Sequence, residues 1–460
     1  MPSPTASSDP YVLTAERVQP APTTFRGRLR HLGPGFILSA AIVGSGELIA
    51  TTTLGAKAGF VTFWVILVIC LVKVALQLEF GKNAMYTGLP TMQSLNRLPG
   101  PRLGRGHWTI WLWLSLQTLK VLQVGGIVGG VALVLHMAVP AVPVAGWAIG
   151  AAASAGLLIH GGQYGWVERG SLLMILLFTS LILFSLLLLQ RTDFAIRPVD
   201  LASGLSFSLP PETVGVALAA FGITGVGGDE IMYYNYWCLE KGYAAYVGPF
   251  AESATWTERA RGWIRVMTLD AVCAMVVYTT VTAAFYLLGE SLLHQGGPLP
   301  EGYAMVETLS RLFTVTLGPG AKAVFLVGAF FVLYSTLFTA TASWARIFAD
   351  AFGQLGWTRL GYVPGDTPAR RQRALSRLAW GFPALWCALF LFINLPVLMI
   401  LLGGIATSVL LLIVVWAALQ FRYRQLPACL TPSPAYDVWL WLSILSILGI
   451  SAYGLWQVLF

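Results

Sequence analysis

The sequence predicts an all-α integral membrane protein: two five-helix halves of opposite orientation, the first helix of each unwound at mid-membrane, then an eleventh helix. Three observations predict it. Apolar residues make up 57% of the 460, charged residues only 10%, and mean hydropathy is +0.72, which leaves too little polar surface for a soluble domain. The apolar residues fall into runs of about 20, the length that crosses a bilayer as a helix. Two of these runs are interrupted by similar tracts, Val43-Gly44-Ser45-Gly46-Glu47-Leu48-Ile49 and Val226-Gly227-Gly228-Asp229-Glu230-Ile231-Met232.

Taken in order, residues 1–32 are polar, rich in Pro, Ser and Thr, and end in Arg26, Arg28 and Arg30. They lack the apolar core of a signal peptide and read as a retained, flexible tail on the cytoplasmic side. Helices are expected near 33–60, 62–86, 108–137, 142–161 and 168–190, which form the first repeat over 33–190. A second set near 212–238, 263–289, 319–350, 375–394 and 396–421 forms the second repeat over 212–421, and a peripheral eleventh helix lies near 436–459 within the last segment, 436–460. The two longest outer loops, near 191–211 and 290–318, have room for short surface helices.

Loop charges set the orientation. One alternate set of loops holds Arg97, Arg102, Arg105, Arg169, Lys241, Arg259, Arg261, Arg265, Arg359, Arg370, Arg371, Arg373, Arg377, Arg422 and Arg424, and the other holds little beyond Arg191, Arg197 and Arg311. Positive residues stay on the cytoplasmic side, so the N-terminus is expected inside and, after eleven crossings, the C-terminus outside, in the cell membrane. The net charge of +8 is thereby explained by membrane orientation, and nucleic acid is not an expected partner. The expected partners are a small solute or ion and the lipid bilayer. Oligomeric state is not legible. The scattered cysteines, Cys70, Cys238, Cys273, Cys387 and Cys429, have no metal-knuckle or disulfide spacing.

Glycine weakens a helix by about 1 kcal/mol, and bare backbone in hydrocarbon costs several, so glycine breaks make sense where they line a polar cavity. The helix at 33–60 enters from the cytoplasm and the one at 212–238 from outside, so the two breaks are related by inversion. A five-plus-five inverted repeat with each half's first helix unwound is the LeuT-type arrangement of the wider amino acid–polyamine–organocation (APC) superfamily. It implies alternating access around the breaks.

The residues also resemble a family. Gly33-Pro34-Gly35-Phe36 and Gly55-Ala56-Lys57-Ala58-Gly59-Phe60 in the first helix are similar to the Nramp divalent-metal transporters. So are Val167-Glu168-Arg169, Ala220-Phe221-Gly222-Ile223-Thr224-Gly225 and Ser335-Thr336-Leu337-Phe338-Thr339. The resemblance covers helices 1 to 10. It also shows where this chain departs. The family's Asp-Pro-Gly-Asn is Gly44-Ser45-Gly46-Glu47 here, and its Met-Pro-His becomes Asp229-Glu230-Ile231. The resemblance is thus to a divergent, Nramp-related branch without the family's metal-site motifs. Loss of the soft thioether removes the reason for selecting softer transition metals. Residues 120–126 read Lys-Val-Leu-Gln-Val-Gly-Gly, without the family's proton-handling acids.

Two substrate classes follow. In the first, the backbone N–H groups of Gly44, Ser45, Gly46, Gly227 and Gly228 form an anion site at half-helix starts, as in amino-acid transporters that resemble this chain at Gly-Ser-Gly. A small carboxylate, a dicarboxylate or amino-acid-like solute, is then expected there, with Lys120 and Gln123 on the facing side. Glu47, Asp229 and Glu230 are the proton-coupling candidates, because clustered carboxylates in a desolvated site are expected to share at least one proton. In the alternative, Glu47, Asp229 and Glu230 form a hard oxygen site for a divalent cation such as Mg²⁺ or Mn²⁺. No cofactor is expected. The coupling ion is expected to be H⁺, with Na⁺ at Ser335, Thr336 and Thr339 as the lesser option.

Bland roles compete at each position. Asp229 and Glu230, like Ser45 and Glu47, suit helix capping. Lys120 is expected to neutralise Glu79 or Asp270 if it has no site role. Lys57, Lys73 and Lys82 are expected to snorkel to the interface. Tyr233-Tyr234-Asn235-Tyr236-Trp237 reads as inner-gate packing or interfacial anchoring, and Gly403-Gly404 as a hinge or a close contact. A channel or sensor is disfavoured because no soluble signalling segment is present. An enzyme is disfavoured because His31, His107, His136, His160 and His294 all lie away from the breaks.

Overall fold

The computed structural model describes residues 9–44, 46–294, 304, 307–308, 310 and 319–459. Spans two to five are Phe63–Thr87, Trp108–Ala138, the shorter Val144–Ile159, and Tyr164–Leu189. Spans seven to eleven are Ala254–Leu293, Pro319–Leu355, Pro368–Ile393, Pro396–Gln420 and Pro434–Leu459. The first and sixth are each broken. Pro34–Ile42 is followed by a π-helical turn, Gly46–Thr51, and by Thr52–Ala58, with a bend of 52° between the halves. Val214–Ile223 is followed, after Thr224–Gly227, by Gly228–Lys241.

Local chemistry explains the ends. Pro34, Pro368 and Pro396 open helices where a missing N–H costs nothing. Gly59, Gly88 and Gly242 close three other helices, Thr52–Ala58, Phe63–Thr87 and Gly228–Lys241, with φ of 65°, 68° and 99°, a left-handed geometry that only glycine adopts cheaply. The first span begins on Gly33 and Gly35, whose N–H groups donate to the Asp270 carboxylate of the seventh span at 2.7 and 2.6 Å.

The broken spans form the centre of the bundle. Every residue from Ile231 to Leu239 is buried, as are Ile37 to Ile42. Spans five and eleven instead leave Leu173, Leu176, Leu187, Leu442 and Leu445 exposed on one side, the apolar face a bilayer covers. Close approach between spans relies on missing side chains. A Cβ on Gly55 would strike the Tyr286 carbonyl, and one on Gly289 would strike that of Thr52, so the first and seventh spans touch backbone to backbone. At Gly403 a Cβ would strike Gln123, which makes this glycine a packing contact between spans ten and three.

Three expectations need correction. The segment preceding the first span is not a flexible tail over its described part, because its polar groups find partners across the bundle. Tyr11 is buried and donates to Glu240 at 2.8 Å, Gly365 N–H donates to Asp9 at 3.0 Å, and Gln19 pairs with the Tyr246 carbonyl and the Trp263 indole. Lys73 and Lys82 do not snorkel. Lys73 is fully buried and donates to the carbonyls of Phe221 and Thr224 at 2.6 and 2.8 Å, capping the first half of the sixth span. Lys82 pairs with Glu79 at 2.7 Å beneath the Tyr436 ring. Lys57 is exposed near its helix end, as expected. Last, Lys120 contacts neither Glu79 nor Asp270, since those acids are taken by Lys82 and by the start of the first span.

Between spans five and six, Pro198–Ser203 is a short surface helix. Of the 290–318 loop, most residues after 294, Arg311 among them, lie outside the described set. The eleventh helix is fastened to the end of the tenth by Arg422–Asp437 at 2.7 Å and to the second by Tyr436–Glu79 at 2.6 Å.

Candidate functional site

The π-helical turn that restarts the first span places Glu47 between the two breaks. Its carboxylate accepts from Gly44 N–H at 3.0 Å and from Gly225 N–H at 3.1 Å, and the side chain is fully buried. Glu47 therefore acts as an internal acceptor at both breaks, occupying two of the donors an incoming carboxylate would need. Gly44 and Gly46 line the central cavity, while Ser45 lies outside the described residues. Gly44 sits against the Thr336 hydroxyl, which donates toward the carbonyls of Ala41 at 3.4 Å and Val43 at 3.2 Å. Ser335 and Thr339 bond to carbonyls of their own helix, at 2.9 Å to Val332 and 2.7 Å to Ser335.

The second break is extended at Thr224 and left-handed at Gly225, with φ 73°. It restarts at Gly228, which puts Asp229 and Glu230 in the first turn of the new helix, at its positive dipole end. Asp229 is held by one oxygen: Oδ1 accepts from the Trp113 indole at 3.2 Å and the Gln117 amide at 3.1 Å. Its Oδ2 makes no hydrogen bond and lies 3.3 Å from the Lys120 ammonium. Lys120 donates instead to the Thr407 hydroxyl at 2.9 Å, and Thr407 donates on to the Gly403 carbonyl at 3.0 Å. Glu230 folds back over Gly227, where a Cβ would strike its carboxylate.

These groups surround a cavity of about 70 Å³. That is room for a few water molecules or a partly hydrated ion. Its walls carry Gly44, Gly46, Lys120, Gln123, Gly227, Asp229 and Glu230, together with Tyr233, Thr336, Gly404 and Thr407. Gln123 Oε1 is buried without a hydrogen-bond partner. Seven of the ten predicted site residues line this cavity, while Gly228 packs against Leu410 and Ser45 lies outside the described residues. Glu47 is the exception in role: it lies between the breaks but spends its oxygens on backbone. Among the described residues no three of His, Cys, Asp and Glu converge as a ready metal cluster, so the expected trio of Glu47, Asp229 and Glu230 does not act as one unit.

Sequence reading missed Trp113, Gln117, Thr407 and Lys73. A signal existed for two of them. Trp113, Gln117 and Lys120 recur at helical spacing and share one face of an otherwise apolar span. Thr407 and Lys73 gave no such signal, because their partners are distant in sequence. In the aromatic run, Tyr234 bonds to the Met267 carbonyl at 3.1 Å, Tyr236 to Asp350 at 2.7 Å, and Trp237 stacks under Arg346. The run is buried packing, not an interfacial belt, and of its residues only Tyr233 lines the cavity.

A helical bundle with two central broken spans, whose breaks line a small polar cavity, is a multi-pass membrane transporter of the LeuT fold. Solved structures agree on the fold. The crystal structure of a point mutant of the Eremococcus coleocola manganese transporter superposes with a TM-score of 0.69, covering 98% of this chain and 89% of that one at 14% identity. A Na⁺-coupled sialic acid symporter superposes with a TM-score of 0.55, covering 90% and 88% at 14% identity. By sequence, the chain is 26% identical to the divalent metal cation transporter MntH of Mycobacterium leprae over 314 residues, 65% of this chain and 68% of that protein. Residues 35–457 match the natural resistance-associated macrophage protein-like profile, and the chain belongs to this Nramp family.

Proposed function

We propose that this protein is a secondary-active, alternating-access carrier of a small, hard divalent cation of the Mg²⁺ or Mn²⁺ kind. The observation that carries the reading is the occupancy of the breaks. Their Gly44 and Gly225 N–H donors already hold Glu47, whereas Asp229 Oδ2 and Gln123 Oε1 have no hydrogen-bond partner and the Glu230 side chain lines the same cavity. Such a wall suits a cation and gives an organic anion little to bind. The family and the named activities of the two metal-transporting relatives support the same class. Among the described residues sulfur is absent from the cavity wall, and oxygen-rich lining favours hard cations that keep part of their water.

A carboxylate solute loses two backbone donors, those of Gly44 and Gly225, to Glu47. Proton coupling is part of the proposal. Glu47 is tied to backbone, and Asp229 is fixed through Oδ1 by Trp113 and Gln117 with its Oδ2 beside the Lys120 ammonium, which leaves Glu230 as the proposed proton carrier. The hydroxyls of Ser335, Thr336 and Thr339 have helix carbonyls as partners, and no sodium role is proposed for them. We place the carrier in the cell membrane with the N-terminus cytoplasmic, which cysteine labelling from either side tests directly.

The test of substrate is calorimetric. Titration of purified protein with Mn²⁺ and Mg²⁺, then with simple carboxylates, is expected to give heat only with the metals, and Glu230→Gln is expected to abolish it. No metal binding at millimolar concentration, or binding of a carboxylate instead, overturns the proposal.

A further inference from the structure

We infer that Lys120 is a tethered cation that competes with the transported ion for Asp229. The inference rests on the cation reading above. Its ground is an asymmetry in how Asp229 is held. The Oδ1 side is fixed by two hydrogen bonds from a rigid indole and an amide, whereas the Oδ2 side meets Lys120 at 3.3 Å with no hydrogen bond at all. The ammonium's hydrogen bond goes to Thr407. Lys120 therefore gives Asp229 a charge but not a fixed partner, on a side facing the cavity. The flexible four-carbon stem lets the ammonium move while Thr407 keeps a hold on it.

Two consequences follow from burial. Asp229 is 1% exposed, and an unpaired carboxylate at that depth is costly, so the empty carrier needs a cation there. Lys120 supplies it. When a divalent ion arrives, it takes Oδ2 and the ammonium swings away from Asp229 while keeping its hydrogen bond to Thr407. The lysine then lowers affinity for cargo and, in return, lets the unloaded protein pass between its inward- and outward-facing states with Asp229 neutralised. Cargo affinity and the return of the empty carrier are set by the same side chain.

The experiment is a set of variants in purified protein and in liposomes, read by Mn²⁺ titration and by two kinds of flux. Lys120→Met is expected to bind Mn²⁺ at least about tenfold tighter, the change that removing one competing charge contact brings. In liposomes it is expected to keep Mn²⁺/Mn²⁺ exchange, in which the carrier is always loaded, and to lose net uptake by about the same factor. Lys120→Arg retains the buried charge, so it folds even where Lys120→Met does not. Its forked guanidinium grips Oδ2 more firmly, and Mn²⁺ binding is expected to weaken about tenfold. With Asp229→Asn in the background, the effect of Lys120→Met on affinity is expected to shrink, because the rival site is gone. Mn²⁺ affinity unchanged in both Lys120→Met and Lys120→Arg overturns this inference and leaves the cation reading standing. Absence of Mn²⁺ and Mg²⁺ binding in every variant and in the wild type overturns both.

Discussion

Glu47 of the first span accepts the backbone N–H of Gly225 in the sixth at 3.1 Å, so one side chain fastens the two helix breaks to each other. Its other oxygen serves Gly44 within its own span. The breaks are thus a single hydrogen-bonded unit. Glu47→Gln keeps one acceptor and turns the other into a donor facing an N–H. It is expected to cost about 1–3 kcal/mol, seen as a lower melting temperature in detergent. A variant that melts with the wild type shows that the bridge is dispensable.

Lys73 closes the C-terminal end of Val214–Ile223 by donating to Phe221 and Thr224. Lys73→Met leaves two buried carbonyls without a partner in a region that holds no bulk water. A loss of about 2–5 kcal/mol is expected, the upper part from unsatisfied groups at a helix's negative end. Thermal melting checks the size, and faster hydrogen exchange confined to residues near the sixth-span break checks the place.

Glu240 is buried between Arg346, at 2.8 Å, and Arg371, and also accepts from Tyr11. Removing the acid strands two guanidinium groups. Glu240→Gln is expected to cost about 3–5 kcal/mol and to reduce monodisperse yield sharply. Tyr11→Phe removes one hydrogen bond only, with an expected loss of about 1 kcal/mol. If the tyrosine change proves as damaging as the glutamate change, the arginine pairing is not what holds this cluster.

Gly403 has no room for a side chain because Gln123 of the third span lies against it. Gly403→Val is expected to push the tenth span from the third and to destabilise by about 1–3 kcal/mol. The displacement also moves Gln123, a wall of the cavity, so Mn²⁺ affinity is expected to fall with stability. Retained affinity in a destabilised variant separates packing from binding.

The oxygen-rich lining makes a prediction about selectivity. Competition titrations are expected to show no preference for Cd²⁺ over Mn²⁺, since no thioether or thiolate among the described residues lines the cavity. Replacing Asp229 by Met, together with Lys120→Gln so that no ammonium is left unpaired, is expected to move the preference toward Cd²⁺. An unchanged order of preference in that double variant places the cargo away from position 229.

The helical bundle, the two breaks and the family resemblance were legible in the chain itself, because hydropathy, glycine interruptions and loop arginines are local features that the bilayer reads segment by segment. The placing of Gly44, Gly46, Gly227, Asp229 and Glu230 together was legible in the paired breaks, and that of Lys120 and Gln123 in their polarity midway along an apolar span. What each group does there was not. Whether the break donors are free for an anion depends on Glu47 meeting Gly225 across 178 positions, and whether Lys73 snorkels or caps depends on carbonyls 148 and 151 positions away. Composition and spacing determined that a polar site exists at mid-membrane. Only the tertiary structure decided which of its polar groups are already satisfied, because a hydrogen bond in a dry interior is made by whichever partner the packing brings within about 3 Å.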